Sequence, residues 1–155
     1  MRDLKGFKFP DEVGTDFFRT ITSKLIGTGY SRRVYDCVLN KNVVIKIEKG
    51  DYNFDNITEY KIWSVARNNE NYAKWLAPCL WISPCGRVLI QERTYLTDRL
   101  PKQIPVWLYD THQHNFGRLK NDQFVCHDYA NSYTIGSGVK SFKMKTPKWR
   151  LRGKE

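Results

Sequence analysis

Two acidic residues and one amide in the C-terminal half are spaced in a way that suits a divalent cation beside a reacting group. Asp110 is followed by Asn115 five residues later and by Asp128 thirteen residues after that. Carboxylate and amide oxygens are suitable ligands for Mg²⁺, and a further carboxylate can position an incoming hydroxyl group. The pattern therefore predicts a site that could carry out phosphoryl transfer.

The N-terminal half supplies residues that could hold phosphates. Gly27-Thr28-Gly29 stands before a predicted strand, where glycines let backbone N–H groups approach a phosphate, although a hairpin turn explains the same glycines equally well. Lys46 stands inside an apolar strand, which favours a functional lysine over one that only reaches past a strand edge to solvent. It could reach phosphates while pairing with a helix carboxylate, for which Glu59 is the candidate.

The predicted elements that position these residues begin with two strands, at 34–39 and 43–48, joined by a turn. Alternation along the second strand places Lys46 on the same face as Val44 and Glu48. Asn56 and Glu59 resemble a capping box, which predicts a helix from Asn56 to about Asn69.

Further along the chain we predict a short helix at about 72–76 and a hairpin between 80–82 and 87–91. The region from Thr94 to Pro105 is polar and is interrupted by prolines. We predict a second hairpin, in which a strand at 124–126 leads to Asp128.

In chain order, these motifs resemble the protein-kinase superfamily, which includes the aminoglycoside phosphotransferases. The match extends over about residues 20–130 and rests on the spacing of Asp110, Asn115 and Asp128 after a G-x-G turn and a lysine strand. The resemblance implies that Asp110 orients the acceptor hydroxyl and takes its proton, and that Asn115 and Asp128 bind Mg²⁺.

The same resemblance implies roles for four further positions. Lys46, fixed by Glu59, would anchor the phosphates of ATP. His112 stands two residues after Asp110, where the aminoglycoside phosphotransferases also have histidine. Glu92 falls in the segment that would bond the adenine.

The chain departs from the family at several positions. Arg32 replaces the third glycine of the loop, where it could crowd the nucleotide or add a charge. Leu108 and Tyr109 replace the usual His and Arg, and Tyr129 and Ala130 replace the last two residues of D-F-G. Only 27 residues follow Asp128, too few for the helical second lobe.

We therefore expect an α+β fold, namely a kinase-like N-lobe with a five-stranded antiparallel sheet and one main helix, followed by a truncated C-lobe. The expected domain covers 1–137, and a basic C-terminal tail covers 138–155. The expected activity is ATP- and Mg²⁺-dependent phosphorylation, with a Ser/Thr protein or the chain itself as acceptor.

The net charge of +10 is concentrated in this tail, which holds seven basic residues against one acid. Such a tail, with Phe142 and Trp149 interleaved, could bind nucleic acid or an acidic protein, and it could equally be solvated.

The sequence has no long apolar segment and no signal-peptide pattern, and its four cysteines lack C-x-x-C spacing. These features predict a cytoplasmic protein without a membrane partner. A kinase-like chain this short also suggests a viral or mobile-element origin, and if it is viral the location is the host cytoplasm.

Two alternatives compete with an active kinase. One is a pseudokinase, which keeps the fold as a binding or inhibitory module. The other is a metal-dependent hydrolase, because five potential ligands lie within nineteen residues. They are Asp110, His112, His114, His127 and Asp128.

Overall fold

A computed structural model of the protein describes residues 15–50, 53–132 and 142–151. Its N-terminal part is built from a five-stranded antiparallel sheet with three helices. The elements are α1 (Thr15–Ile21), β1 (Thr22–Thr28), β2 (Arg32–Cys37), β3 (Val43–Glu48), α2 (Asp55–Ala66), α3 (Glu70–Ala73), β4 (Cys79–Ile82) and β5 (Val88–Glu92). The strand order is β1-β2-β3-β5-β4. The predicted α+β class and five-stranded antiparallel sheet are thus confirmed.

The remaining elements are short and form two small antiparallel sheets. They are β6 (Ile104–Pro105), a 3₁₀ turn (Gln113–Asn115), β7 (Phe116–Arg118), β8 (Phe124–Cys126) and β9 (Met144–Lys145). β6 pairs with β9, and β7 pairs with β8. No helix in the described stretches of the chain is both long and apolar enough to cross a membrane.

One hydrophobic core joins the sheet to the later elements. Ile62 and Ala66 of α2 and Leu89 of β5 belong to the same buried cluster as Leu108 and Tyr129. Leu108 and Tyr129 depart from the kinase pattern, and both are almost fully buried here. Burying such apolar side chains stabilises the fold by about 2 kcal/mol each. The shared core fixes the polar loops next to Leu108 and Tyr129 against the sheet.

The predicted capping box at the start of α2 is wrong. The helix begins at Asp55, after Phe54 in a left-handed conformation with φ of 55°, and its first turn is capped from β3, where Glu48 Oε1 accepts from the amide of Asn56 at 2.7 Å. Asn56 lies inside the first turn, and its Nδ2 atom donates to the carbonyl oxygens of Arg87 (3.0 Å) and Lys46 (3.3 Å). Because this side chain bonds two strands, it joins α2 to β3 rather than closing the helix end.

The predicted helix ends also shift. α2 ends at Ala66, short of the expected Asn69, and the next helix is Glu70–Ala73 rather than 72–76. Asn69 caps that helix, because its side chain accepts a hydrogen bond from the amide of Asn71 at 3.0 Å. The predicted strand 43–48 and the two hairpins are confirmed within a residue or two.

Residues 142–151, named the basic segment below, pack against the rest of the fold. Their strand β9 pairs with β6, and the amide of Val106 donates to Lys143 O at 3.0 Å. The ring of Trp149 meets that of Phe116 edge-on at 5.1 Å. This described part of the predicted tail is therefore ordered against the fold, with most of its side chains exposed; positions 138–141 and 152–155 lie outside the described residues.

Candidate functional site

A cleft of about 1140 Å³ lies between the five-stranded sheet and the β7–β8 hairpin. The end of β1 at Gly27 and Thr28, together with Gly29 in the turn to β2, covers one side. Val44 and Lys46 form the floor on β3, and His114, Asn115 and Asp128 face them. Segment 91–96 contributes to the wall through Gln91 and Arg93 to Leu96. The turn, the lysine and the two predicted metal ligands thus meet in one cavity.

The two glycines of the turn are not required by the packing of the protein itself. A Cβ atom added to Gly27 would lie 3.7 Å from Val34 Cβ, and one added to Gly29 would lie 3.9 Å from Arg32 O, both ordinary contacts. Neither glycine has a positive φ. The fold would accept a small side chain at either position. The close approach of a ligand to the protein backbone therefore explains the two glycines better than the hairpin does.

Lys46 is almost fully buried and bonded at the floor of the cleft. Its Nζ atom donates to Glu59 Oε2 at 2.9 Å and to the carbonyl oxygen of His127. The other oxygen, Glu59 Oε1, accepts from the amide of Tyr129 at 3.0 Å. The pairing of Lys46 with Glu59 that the sequence predicts is present, and it ties β3, α2 and the loop after β8 together.

Arg32 adds a second cation to this pair. Its Nη1 atom lies 2.5 Å from Glu59 Oε2, and its Nη2 atom lies 2.6 Å from Asp128 Oδ1. The Arg32 side chain is only 6% exposed, whereas that of Asp128 is 50% exposed. Arg32, Lys46, Glu59 and Asp128 are named the inner cluster below.

The inner cluster keeps Asp128 ionised. Burial alone would raise the pKa of Asp128, but the charges of Lys46 and Arg32 outweigh it and lower the pKa below its usual value. The negative charge of Asp110 acts in the opposite direction and raises the pKa of Asp128. Asp128 is thus a carboxylate with one half-exposed side facing the cleft, the form that a hard cation requires.

Asn115 is held next to Asp128 by the backbone. Its carbonyl oxygen accepts from the amides of His127 at 2.8 Å and Asp128 at 3.4 Å. The register of β7 with β8, in which Phe116 pairs with Cys126, aligns these two positions. Asn115 is buried and lines the cleft, so an amide and a carboxylate are available to the same ligand.

His127 connects three parts of the site. Its Nε2 atom lies 2.8 Å from His114 O and must donate to it, while Nδ1 lies 2.7 Å from Thr94 Oγ1 and therefore accepts. Burial, and secondly the charge of Lys46, lower its pKa to about 4, so the ring is neutral at pH 7. Both ring nitrogens are engaged, which leaves neither free to bind a metal.

Four predicted site residues do not line the cleft, namely Glu59, which bonds Lys46, and Asp110, His112 and Glu92. Asp110 is half-buried, and its Oδ1 atom accepts from the amide of His112 at 3.0 Å, as in an Asx turn. The His112 ring bonds Arg150, with Nε2 2.9 Å from Nη1. Glu92 ends β5, and its amide donates to Pro78 O at 2.8 Å.

Sequence reasoning noted Arg32 but did not place it between two carboxylates, and it named Gln91 only as part of the segment expected to bond the adenine. Gln91 lines the cleft and is fully buried, and its Oε1 atom has no hydrogen-bond partner in the described parts of the chain. A glutamine in the apolar run Val88–Glu92 is the signal that could have drawn attention to it.

No group of three or more His, Cys, Asp or Glu side chains in residues 15–50, 53–132 and 142–151 is arranged to hold a metal ion. The rings of His112 and His114 lie 5.0 Å apart, and both ring nitrogens of His127 are already bonded, to His114 O and to Thr94 Oγ1. This distribution gives no support to a histidine-based hydrolase.

No protein-family model matches the chain, and no curated protein matches it either. Its function therefore has to be inferred from the geometry of the cleft.

Proposed function

We propose that this protein is an ATP- and Mg²⁺-dependent phosphotransferase of the kinase-like superfamily that phosphorylates a hydroxyl group of a protein. The observation that carries the proposal is the convergence of Lys46, Asn115 and Asp128 on one cleft beneath the glycine turn. The sheet with α2 is consistent with the smaller lobe of a kinase, since α2 presents Glu59 to the strand lysine.

The donor set fits Mg²⁺. An ionised carboxylate on Asp128 and an amide on Asn115 are hard oxygen ligands, and phosphate oxygens and water complete such sites. When bound, Mg²⁺ would neutralise charge that develops on the transferring phosphoryl group. Lys46 would bind phosphate oxygens as a point charge, because Glu59 and His127 O already fix its ammonium group.

Arg32 competes with a cation for Asp128. Its guanidinium group occupies Oδ1, which leaves Oδ2 for a metal ion until Arg32 releases the carboxylate. When Arg32 releases Asp128, its side chain still bonds Glu59 and therefore keeps one carboxylate partner in the inner cluster. The freed guanidinium nitrogen then faces the phosphates and can donate to them.

The acceptor side is assigned to Asp110. In the proposed reaction the hydroxyl oxygen of the acceptor bonds to the γ-phosphorus, the bond to the β–γ bridging oxygen breaks, and ADP leaves. The hydroxyl proton passes to the Asp110 carboxylate. This role rests on the effect of the Asp110 charge on Asp128, whose pKa it raises, although Asp110 does not line the cleft.

Labelled ATP tests the proposal. The wild type, incubated with Mg²⁺, [γ-³²P]ATP and a general protein acceptor, should transfer label, and Asp128→Asn should not. Asp122→Asn is a matched control, since Asp122 is an exposed carboxylate outside the cleft whose φ of 67° suits asparagine. Equal labelling by the wild type and Asp128→Asn would refute the proposal.

A second candidate is a nucleotide-binding module without turnover. The contact of Arg32 with Asp128 favours it, because an internal cation already neutralises the predicted metal ligand. Nucleotide binding that is unchanged in Asp110→Asn, without transfer by either protein, would support the module. Transfer that is lost in Asp110→Asn would support the enzyme.

A further inference from the structure

The basic segment carries four cations and no acid. They are Lys143, Lys145, Lys148 and Arg150. Within the part of the chain that the structure describes, none of the four forms an ion pair with a carboxylate. Their charge is therefore available to a partner, unlike that of the inner cluster.

Backbone hydrogen bonds dock this segment on the loop that follows Asp110. Thr111 Oγ1 donates to Lys148 O at 2.7 Å, the amide of Arg150 donates to Thr111 O at 3.1 Å, and the amide of Gln113 donates to Arg150 O at 3.0 Å. The segment and the loop thus run side by side as one surface.

Two of the cations reach residues on either side of Asp110. Lys145 Nζ lies 5.5 Å from the ring centre of Tyr109, and Arg150 Nη1 lies 2.9 Å from His112 Nε2. An acceptor that presents its hydroxyl to Asp110 must therefore lie against these cations. These cations would attract negative charges on the acceptor. Without the cations, Asp110 and Asp128 would repel such an acceptor.

The aromatic residues of the segment argue for a protein over a nucleic acid. Binding of single strands uses exposed ring faces on which bases stack. Trp149 is instead engaged edge-on with Phe116 and with Phe124, at 5.1 and 6.3 Å between ring centres. Phe142 contacts Tyr72 at 5.4 Å between ring centres but is 54% exposed, so only the engagement of Trp149 favours a protein.

We infer that the basic segment is the acceptor-binding surface and that the acceptor is a protein segment in which Asp or Glu residues flank the phosphorylated hydroxyl. This inference rests on the proposed function, since it assigns the substrate class of that same site.

Two matched peptides test the inference. One has a central serine flanked by glutamates, and the other has glutamines in their place. Fluorescence anisotropy without nucleotide should show about tenfold tighter binding of the acidic peptide, as expected for about three exposed charge pairs. The preference should weaken as salt is added.

A triple variant locates the effect. Lys143→Gln with Lys145→Gln and Lys148→Gln should remove the preference, whereas Lys24→Gln with Lys41→Gln and Lys61→Gln, the same charge change at exposed positions elsewhere, should keep it. Should half-buried Lys145 prove necessary for folding in thermal denaturation, the pair Lys143→Gln and Lys148→Gln should still lose about fivefold.

Three results would overturn the inference. They are equal binding of both peptides by the wild type, an equal loss in the control triple variant, and tighter binding of a single-stranded oligonucleotide that the segment variants abolish. Transfer of phosphate without a preference for the acidic peptide would overturn only this inference. Preferential binding without any transfer would overturn the proposed function, and with it the role of the peptide as acceptor.

Discussion

The inner cluster and the basic segment hold their charges in opposite ways. In the inner cluster, Arg32 and Lys46 share one oxygen of Glu59, and their side chains are at most 6% exposed. In the basic segment, the cations are exposed or half-buried, without carboxylate partners in the described residues. Charges of the first kind cost much to disturb, since removing one partner leaves the other buried and unpaired. Charges of the second kind contribute little to the fold and can select a partner.

The largest expected effect follows from removing the ammonium group of Lys46. Lys46→Met should lower phosphate transfer by about 10³-fold, because the phosphates lose a fixed cation while Glu59 keeps Arg32. Lys61→Met, on the exposed face of α2, is the control and should retain full activity. Rates with labelled ATP measure both. Full activity of Lys46→Met would show that phosphate transfer depends no more on this buried cation of the inner cluster than on an exposed one.

Glu59→Gln should have the next largest effect, on stability. Its neutral amide leaves two buried cations without their shared carboxylate, which should lower the free energy of unfolding by about 3 kcal/mol. Urea denaturation measures this, with exposed Glu70→Gln as control. A loss no greater than that of the control would mean that the inner cluster is not structural.

The low pKa of His127 predicts a pH dependence. Between pH 6.5 and about 4 the unfolded chain binds a proton that the folded protein excludes, so stability present above pH 6.5 is lost as the pH falls through this window. The loss should be about 2 kcal/mol for a partly exposed ring. His127→Asn should flatten the slope of unfolding free energy against pH. Parallel curves of unfolding free energy against pH for the wild type and His127→Asn would contradict the assignment of this pH dependence to His127.

The smallest effect concerns the competition between Arg32 and Mg²⁺. Arg32→Gln frees Asp128, so the Mg²⁺ concentration required for half-maximal nucleotide binding should fall by about fivefold, as for a half-exposed ion pair. Arg33→Gln, the exposed neighbour, should leave it unchanged. A titration of Mg²⁺ at fixed nucleotide measures the shift. An unchanged requirement in Arg32→Gln would show that the contact with Asp128 does not compete.

The sheet was predictable because its signals are local. Alternation and β-branched residues define Val43–Glu48, and the turn residues 83–86 define the hairpin of β4 and β5. Lys46 and Glu59 could be paired from sequence because a lysine in an apolar strand needs a buried carboxylate, and the next helix offers one.

The remaining features depend on contacts between distant residues, which periodicity does not reveal. The sequence pattern predicts that Asn56 caps α2. Its side chain instead donates to the carbonyl oxygen of Arg87, which is 31 residues away. Arg32 lies 96 residues from Asp128, and only the assembled fold brings them to 2.6 Å. The composition of the basic segment is that of a solvated tail. Only the pairing of β9 with β6 and the packing of Trp149 show that the segment is held against the fold.

Calorimetry with a non-hydrolysable ATP analogue tests the central claim most directly. The wild type should bind the analogue, more tightly with Mg²⁺ than with EDTA, and Asp128→Asn should lose the Mg²⁺-dependent part of the affinity while Asp122→Asn retains it. Absence of binding to the wild type, or equal affinity in Mg²⁺ and EDTA, would contradict the assignment of the cleft to a Mg²⁺–nucleotide complex.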